Sequence, residues 1–325
     1  MVKSILVTLP HTEIQDRING MVWSFSRLRA YESCPEMFYR TYILHQPQRD
    51  NAFAQYGTFA HSIYERFLRG ELFSFECGTV FRKEFALYVN EDFPSFGGKD
   101  LGESWFDAGE MAFDSVEDLP DCYEVVGVEM KVESSLPCGD RLLPFKGFID
   151  LLLRDKRDGK YIIVDHKSHA RFKSAREKRE YARQLYLYAE ILVQSGVVRA
   201  RDIRLLAFNM FRAGYVEKID YNPDHALEAL AWAGEMVQKI FDDPAFTQVT
   251  LRDKKYSLPM FCTEICSFRG ECTPELCEKP IQPKGSDLKR KSNESSSKKP
   301  MKKSMKIFRS ASPTSCIWKG MTSVV

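Results

Sequence analysis

Two acidic residues and a lysine interrupt sequence that is otherwise apolar. Asp150 lies within the apolar run FIDLL at 148–152, and Asp165 and Lys167 follow directly after the apolar segment 161–164. Isolated charges are too costly to bury, so such residues must be paired, bound to a metal ion or placed at an open cleft. Carboxylates are hard oxygen ligands for Mg²⁺ or Mn²⁺, and an ammonium group can stabilise charge that develops on a phosphate. These residue types are sufficient for phosphodiester hydrolysis, although a partly exposed salt bridge at a strand end fits the same triplet.

The segment 142–167 predicts a β-hairpin that brings these residues together. Two apolar strands flank the polar turn DKRDG at 155–159. Side chains alternate along a strand, so Asp165 and Lys167 point to one face and His166 points to the other. If the strands pair through this turn, Asp150 lies beside Asp165 at the end of a buried sheet.

Helical patterns flank the hairpin on both sides and must position it. Ser24 or Ser26 can cap a first helix, Pro35 suits the first turn of a second, and Ser174 with Glu177 forms a capping box. Further helices are predicted at 57–68, about 74–90, about 102–118 and from Pro223 to about 241, and further strands at 123–132, 203–210 and 215–219. This order predicts an α/β core, a central mixed β-sheet with helices packed on its faces.

Composition limits the class of protein. A chain of 325 residues with 44% apolar content can bury a sizeable core. Its apolar runs are shorter than the roughly 18 residues of a membrane span, and the opening run 5–9 is too short for a secretory signal. We therefore expect a soluble, cytoplasmic protein without a membrane partner.

The last part of the chain differs in composition from the rest. Residues 279–325 carry twelve Lys and Arg residues against two acidic ones and are rich in Ser and Pro, whereas the preceding residues are net acidic. This pattern predicts a disordered basic tail. It fits either non-specific contact with nucleic acid phosphates or a solubilising segment without a partner.

Four of the nine cysteines lie close together near the end of the predicted core. Cys262, Cys266 and Cys272 have the spacing C-x3-C-x5-C, and Cys277 follows. In a chain without a secretory signal, such a group indicates metal binding rather than disulfides. Cys34 lies far upstream, beside Pro35, and by itself fits a small buried residue.

These features occur in the order found in a known family. Over residues 23–277 the chain resembles the RecB-like branch of the PD-(D/E)XK nuclease superfamily, which includes nuclease domains of bacterial recombination helicases and CRISPR-associated spacer-acquisition exonucleases. The resemblance rests on Ser24-Phe25-Ser26 with Cys34-Pro35, Gly57 with His61, Gly147-Phe148-Ile149-Asp150, Val164-Asp165-His166-Lys167, Gln184-Leu185 with Tyr188, and the terminal cysteines. It implies a restriction-endonuclease-like core.

The resemblance also implies roles for individual residues. His61, Asp150, Asp165 and the backbone carbonyl of His166 would bind a catalytic Mg²⁺ or Mn²⁺, and Lys167 would be the catalytic lysine. Gln184 and Tyr188 would support the site or contact DNA, and Glu129 would be a supporting acid outside the metal's own ligands. Two departures are Ile149, at the position of the proline that names the superfamily, and His166, for which we expect packing or a DNA contact.

The cysteines have two metal-bound interpretations and one without metal. The resemblance implies a structural 4Fe–4S cluster held by Cys34, Cys262, Cys266 and Cys272. This cluster would join the helical region before the core to the segment after it. Alternatively, Cys262, Cys266, Cys272 and Cys277 form a structural Zn²⁺ site. Reduced buried thiols are the third interpretation.

We therefore expect three regions: an N-terminal segment 1–22, a nuclease domain 23–278 with a helical insertion at about 70–120 and the cysteine cluster 262–277, and the tail 279–325. The expected function is a metal-dependent DNA nuclease, an exonuclease acting on single strands or DNA ends in recombination, repair or phage DNA metabolism. Helicase, recombination or CRISPR-adaptation proteins would be its partners. The alternative is a non-catalytic Fe–S subunit that binds DNA in a recombination or spacer-acquisition complex.

Overall fold

The computed structural model describes residues 9–96, 98–243, 246, 261–269 and 271. These residues form seven strands, eight α-helices and five short 3₁₀ or π-helical segments. The helices are α1 (His11–Asn19), α2 (Phe25–Ser33), α3 (Pro35–Phe38), α4 (Ala52–Leu68), α5 (Cys77–Tyr88), α6 (Leu101–Asp114), α7 (Ala175–Gln194) and α8 (Pro223–Asp242). The strands are β1 (Ser95–Phe96), β2 (Lys99–Asp100), β3 (Tyr123–Cys138), β4 (Arg141–Asp155), β5 (Tyr161–His166), β6 (Ile203–Met210) and β7 (Tyr215–Asp220).

The five long strands form one mixed sheet in the order β3-β4-β5-β6-β7. Only the pairing of β5 with β6 is parallel, because α7 crosses over between these two strands. Helices α7 and α8 pack on one face, and the end of α4 approaches the other. The predicted α/β core with a central mixed sheet is therefore confirmed. No helix among the described residues is long and apolar enough to cross a membrane.

The predicted hairpin is formed by β4 and β5. Leu151 pairs with Val164, so the next position along the ladder sets Asp150 opposite Asp165. The turn is held by Asp155, whose buried carboxylate accepts hydrogen bonds from Arg157 at 2.7 and 2.9 Å and from Arg204 at 2.9 Å. A buried carboxylate with two guanidinium partners keeps the turn in one geometry, and this geometry sets the register of the two strands.

An irregularity in β3 lies directly beside this hairpin. The register with β4 shifts between Val125 and Gly127, and two residues later Glu129 has a φ of +47°. Residues other than glycine rarely adopt this left-handed backbone conformation within a strand. The surrounding structure must therefore compensate for the strain at Glu129. Val128 pairs with Leu151 and Met130 with Ile149, which sets Glu129 opposite Asp150.

The helix boundaries follow the capping residues. Ser24 caps α2 by accepting a hydrogen bond from the amide of Arg27, and Ser174 caps α7 by accepting one from Glu177. A contact that the sequence does not indicate lies just before α2. The backbone of Trp23 pairs in parallel with Phe145 of β4, which joins the start of α2 to the sheet.

The helices of the predicted insertion form a second core, rich in aromatic side chains, beside α4. Its helices α5 and α6 are shorter than predicted, and the two-stranded β1–β2 hairpin between them was not predicted. They surround buried rings that include Tyr56, Phe81, Phe113 and Phe211. This packing holds α4 against the sheet. Helix α1, within the predicted N-terminal segment, was also not predicted.

The described part of the C-terminal region packs on the N-terminal helices. The carbonyl oxygens of Ser267 and Ile265 accept hydrogen bonds from Arg49 and Asn51, and Phe268 is fully buried near the Arg40 guanidinium. The two ends of the predicted nuclease domain therefore meet. The predicted basic tail 279–325 lies outside the described residues.

Close packing of α7 on β4 predicts the effect of one substitution. A Cβ atom added at Gly147 would lie 2.4 Å from Cε1 of Tyr188. We therefore expect Gly147→Ala to lower the free energy of unfolding by about 1–3 kcal/mol, measured by urea denaturation.

Gly57→Ala is the matched control, because nothing lies within 4 Å of the added Cβ in α4. It should raise the free energy of unfolding by about 0.5–1 kcal/mol, since alanine restricts the unfolded chain. Equal stability of Gly147→Ala and the wild type would contradict the packing described here.

Candidate active site

Six residues singled out in the sequence line one cavity of about 290 Å³. They come from three parts of the fold: α4, the β4–β5 hairpin with the residues just after it, and α7. The six are His61, Asp150, Asp165, Lys167, Gln184 and Tyr188. The rim also includes Ser24, Ser26, Lys146 and Phe148.

The two carboxylates are buried and have different partners. Asp150 Oδ2 accepts a hydrogen bond of 2.7 Å from the amide of His166, and Asp165 Oδ2 forms an ion pair of 2.6 Å with Lys167 Nζ. Burial, with the nearby charge of Asp165, raises the pKa of Asp150 to about 7, although His61 and Lys167 oppose this. Burial lowers the pKa of Lys167, but the two carboxylates outweigh it and raise that pKa above its usual value. The lysine is therefore a cation at neutral pH.

His61 bridges the carbonyl and carboxylate groups of the site. Its Nε2 lies 2.9 Å from the carbonyl oxygen of His166, and its Nδ1 lies 3.5 Å from Asp150 Oδ2 and 3.7 Å from Glu129 Oε1. Burial lowers the pKa of His61, but Glu129 and the charges of Asp150 and Asp165 outweigh burial and raise it to about 9. Without metal, His61 is therefore an imidazolium that donates Nε2–H to the carbonyl of His166 and forms ion pairs with Asp150 and Glu129 through Nδ1.

Glu129 lies closer to the candidate metal ligands than the sequence analysis predicted. Donor atoms of His61, Glu129 and Asp150 all lie within 4.8 Å of one another, and within the described ranges this is the one group of at least three such residues close enough to hold a metal ion. A glutamate in an amphipathic strand carries no sequence signal of this role. Its approach depends on the irregular backbone of β3.

His166 connects the metal-binding candidates to the core. Its buried ring stacks on Tyr64 at a centroid distance of 4.4 Å, and its Nδ1 accepts a hydrogen bond of 2.9 Å from Asn209 Nδ2. Burial, with the charges of His61 and Lys167, lowers the pKa of His166 well below its usual value. The ring is therefore neutral, and it holds the backbone groups that bond Asp150 and His61. Neither Tyr64 nor Asn209 was identified from the sequence.

Helix α7 supports the lysine. Gln184 Oε1 accepts a hydrogen bond of 3.2 Å from Lys167 Nζ, and Gln184 Nε2 donates one of 3.0 Å to the Tyr188 hydroxyl. Because the Tyr188 ring packs against Gly147, this chain of contacts connects Lys167 back to β4.

The predicted cysteine ligands are described in part. Cys34 is half-buried between α2 and α3, and Cys262 and Cys266 are buried. Cys266 lines the same cavity as Ser33, the neighbour of Cys34, so the two cysteine regions are adjacent. Cys272 and Cys277 lie outside the described residues.

The donor set of the site fits a hard divalent cation. Carboxylates and a backbone carbonyl surround one imidazole, a combination that suits Mg²⁺ or Mn²⁺ better than soft metals. A bound cation would also offset the burial and the repulsion by Asp165 that together raise the pKa of Asp150.

Comparison with known proteins gives one informative match. A comparison with curated proteins found no match to this chain. Among solved structures, one entitled "Crystal structure of SSO0001" matches with 12% identity and a TM-score of 0.33, over 81% of this chain and 93% of that one, a likeness too weak to bear on function. The model of the PD-(D/E)XK nuclease superfamily matches residues 22–273, well over half of the chain, and the protein therefore belongs to this superfamily.

Proposed function

We propose that the protein is a metal-dependent nuclease that hydrolyses phosphodiester bonds in DNA. The observation that carries the proposal is the convergence of His61, Asp150, Asp165 and Lys167 in one cavity. Membership of the superfamily supports the same chemistry, since its nucleases use divalent metals.

The side chains divide this chemistry between them. Asp150, Asp165, His61 and the carbonyl of His166 would hold the cation, and Glu129 lies close enough to contribute. When bound, the cation lowers the pKa of a water molecule and neutralises charge on the phosphate. Lys167 is a fixed cation, oriented by Asp165 and Gln184, that stabilises negative charge on the phosphate oxygens.

We place the protein in the RecB-like branch and propose that it acts as an exonuclease on single strands or DNA ends in recombination, repair or phage DNA metabolism. Partner proteins would be helicases, recombination proteins or CRISPR-adaptation proteins. The order of the sequence motifs supports this assignment. The alternative, a DNA-binding subunit without activity, does not explain the buried carboxylates, because a protein that only binds DNA would gain nothing from acids beside the phosphates.

The first prediction concerns cleavage. With Mn²⁺ or Mg²⁺, the wild type should digest end-labelled single-stranded DNA, and Asp165→Ala and Lys167→Gln should lower the rate by at least about 100-fold. Asp140→Ala is the control, because this exposed aspartate lies in the β3–β4 turn and should keep the wild-type rate.

If folded Asp165→Ala protein cleaved DNA at the wild-type rate, the site would be assigned wrongly. No cleavage by any form, together with tight DNA binding by the wild type, would favour the binding subunit.

The second prediction concerns the pH dependence of metal binding. Metal-free His61 holds a proton up to a pKa of about 9 and Asp150 up to about 7, and a cation must displace both protons. The Kd for Mn²⁺, measured by calorimetry, should therefore fall by about tenfold per pH unit between pH 7 and 9, and more steeply below pH 7.

His61→Gln tests the source of this dependence. The variant loses the group that titrates near pH 9, so its Kd should depend less steeply on pH near pH 9 than that of the wild type. Some dependence just above pH 7 remains, because loss of the His61 charge raises the pKa of Asp150 further. A Kd of the wild type that is independent of pH would contradict the protonation states given above.

We also propose that Cys34, Cys262, Cys266 and Cys272 bind a 4Fe–4S cluster with a structural role. The adjacency of the two cysteine regions supports this ligand set, and thiolates suit such clusters. A Zn²⁺ site formed by Cys262, Cys266, Cys272 and Cys277 is the alternative, and it would not use Cys34.

Two single substitutions distinguish these alternatives. In anaerobically purified protein, Cys34→Ser should abolish the brown colour and the iron and sulfide content, whereas Cys277→Ser should leave them unchanged. Cys122→Ser serves as the control for loss of a thiol elsewhere. Stoichiometric zinc that survives Cys34→Ser but not Cys277→Ser would establish the zinc site instead.

A further inference from the structure

A second cavity, of about 450 Å³, opens directly beside the active site. It lies between α2, α7 and the segment 261–267, and we call it the flanking groove. Phe25, Ser26, Lys167 and Gln184 line both cavities. The two cavities therefore form one continuous cleft that passes the catalytic lysine.

The charges along the flanking groove are positive. Among the described residues, its lining contains two charged side chains, Arg29 and Lys167, and no acidic one, and Lys167 is paired with Asp165 in the adjoining cavity. Arg29 contacts Glu32 and Glu180, but these two carboxylates also contact two further arginines, Arg183 and Arg176. Three guanidinium groups against two carboxylates leave this ion-pair network with a net positive charge. The groove therefore complements an anion.

The same groove contains aromatic surface that can contact a flat ring. The Tyr181 ring is half-buried in α7, with the Arg29 guanidinium and the Lys167 ammonium each 5.7 Å from its centroid. Phe261 also lines the groove. Phe172 and His169 pack against other parts of the Tyr181 ring, so only the part that lines the groove can contact a ligand. That part, next to two cations, suits a nucleobase whose attached phosphate meets the cations.

We propose that the flanking groove binds unpaired nucleotides adjacent to the scissile phosphate, and that Arg29 and Tyr181 are their contacts. This inference rests on the proposed nuclease function and specifies its substrate as single-stranded DNA. A base inside a duplex is stacked between its neighbours and presents no free face to Tyr181. The segment with Cys262 and Cys266 forms one wall, so the proposed cluster would shape the groove.

Binding of DNA without cleavage tests this inference. With Ca²⁺ in place of Mn²⁺, fluorescence anisotropy of labelled oligothymidylate should show a Kd about tenfold higher for Arg29→Gln and for Tyr181→Ala than for the wild type. Tyr181→Phe keeps the stacking surface and should bind like the wild type. A labelled duplex should bind the wild type more weakly than the single strand does, and the two substitutions should change its Kd little.

Arg82→Gln is the matched control for Arg29→Gln. Arg82 also pairs with two acidic residues, Glu110 and Asp114, but it lies on α5, away from the groove. Its substitution should leave the Kd for oligothymidylate unchanged.

Photocrosslinking tests the wild type directly, without relying on the folding of a variant. Oligothymidylate that carries 5-iododeoxyuridine should crosslink to Tyr181 or Phe261. The inference would be overturned if Arg29→Gln and Tyr181→Ala bound oligothymidylate with the same Kd as the wild type, or if the crosslinks lay only in other peptides. Either result would leave the nuclease proposal intact. Weakened binding by these variants in a protein that cleaves no DNA would support the groove and reject the nuclease.

Discussion

The burial of two carboxylates at adjacent positions of β4 and β5 is the constraint on which the structure depends. Asp150 is 8% exposed and Asp165 is 2% exposed, so water screens neither charge well. Two negative charges at adjacent buried positions are unfavourable unless cations or hydrogen-bond donors compensate for them. The Lys167 ammonium, the amide of His166 and the His61 imidazolium supply that compensation without metal. A divalent cation would supply it better, and this difference is the physical basis for the proposed metal binding at the site.

The rest of the fold positions these compensating groups. Helix α4 carries His61 and is held by the aromatic core of α5 and α6, so the helical insertion contributes to the site from a distance. Asn209 on β6 fixes the ring of His166, whose backbone bonds both Asp150 and His61. Helix α7 supplies Gln184 to Lys167. Small shifts in any of these elements would therefore change the distances among the charged groups.

Local patterns predicted much of this arrangement, and non-local contacts account for what was not predicted. The hairpin and the caps at Ser24 and Ser174 follow from periodicity and turn chemistry within short segments. The approach of Glu129 depends on a strand irregularity and a left-handed backbone, and the support of His166 depends on Asn209 in a strand 43 residues away. Neither contact has a short-range signature. The family resemblance implied Glu129 only as a supporting acid, and Asn209 was not identified at all.

Anomalous diffraction from crystals soaked in Mn²⁺ tests the central claim most directly, because it locates the cation without relying on activity. The account predicts an anomalous peak bounded by carboxylate oxygens of Asp150 and Asp165 and by His61, and no such peak in Asp165→Ala crystals. A fully occupied peak elsewhere, or an Mn²⁺ site that survives Asp165→Ala unchanged, would contradict the account.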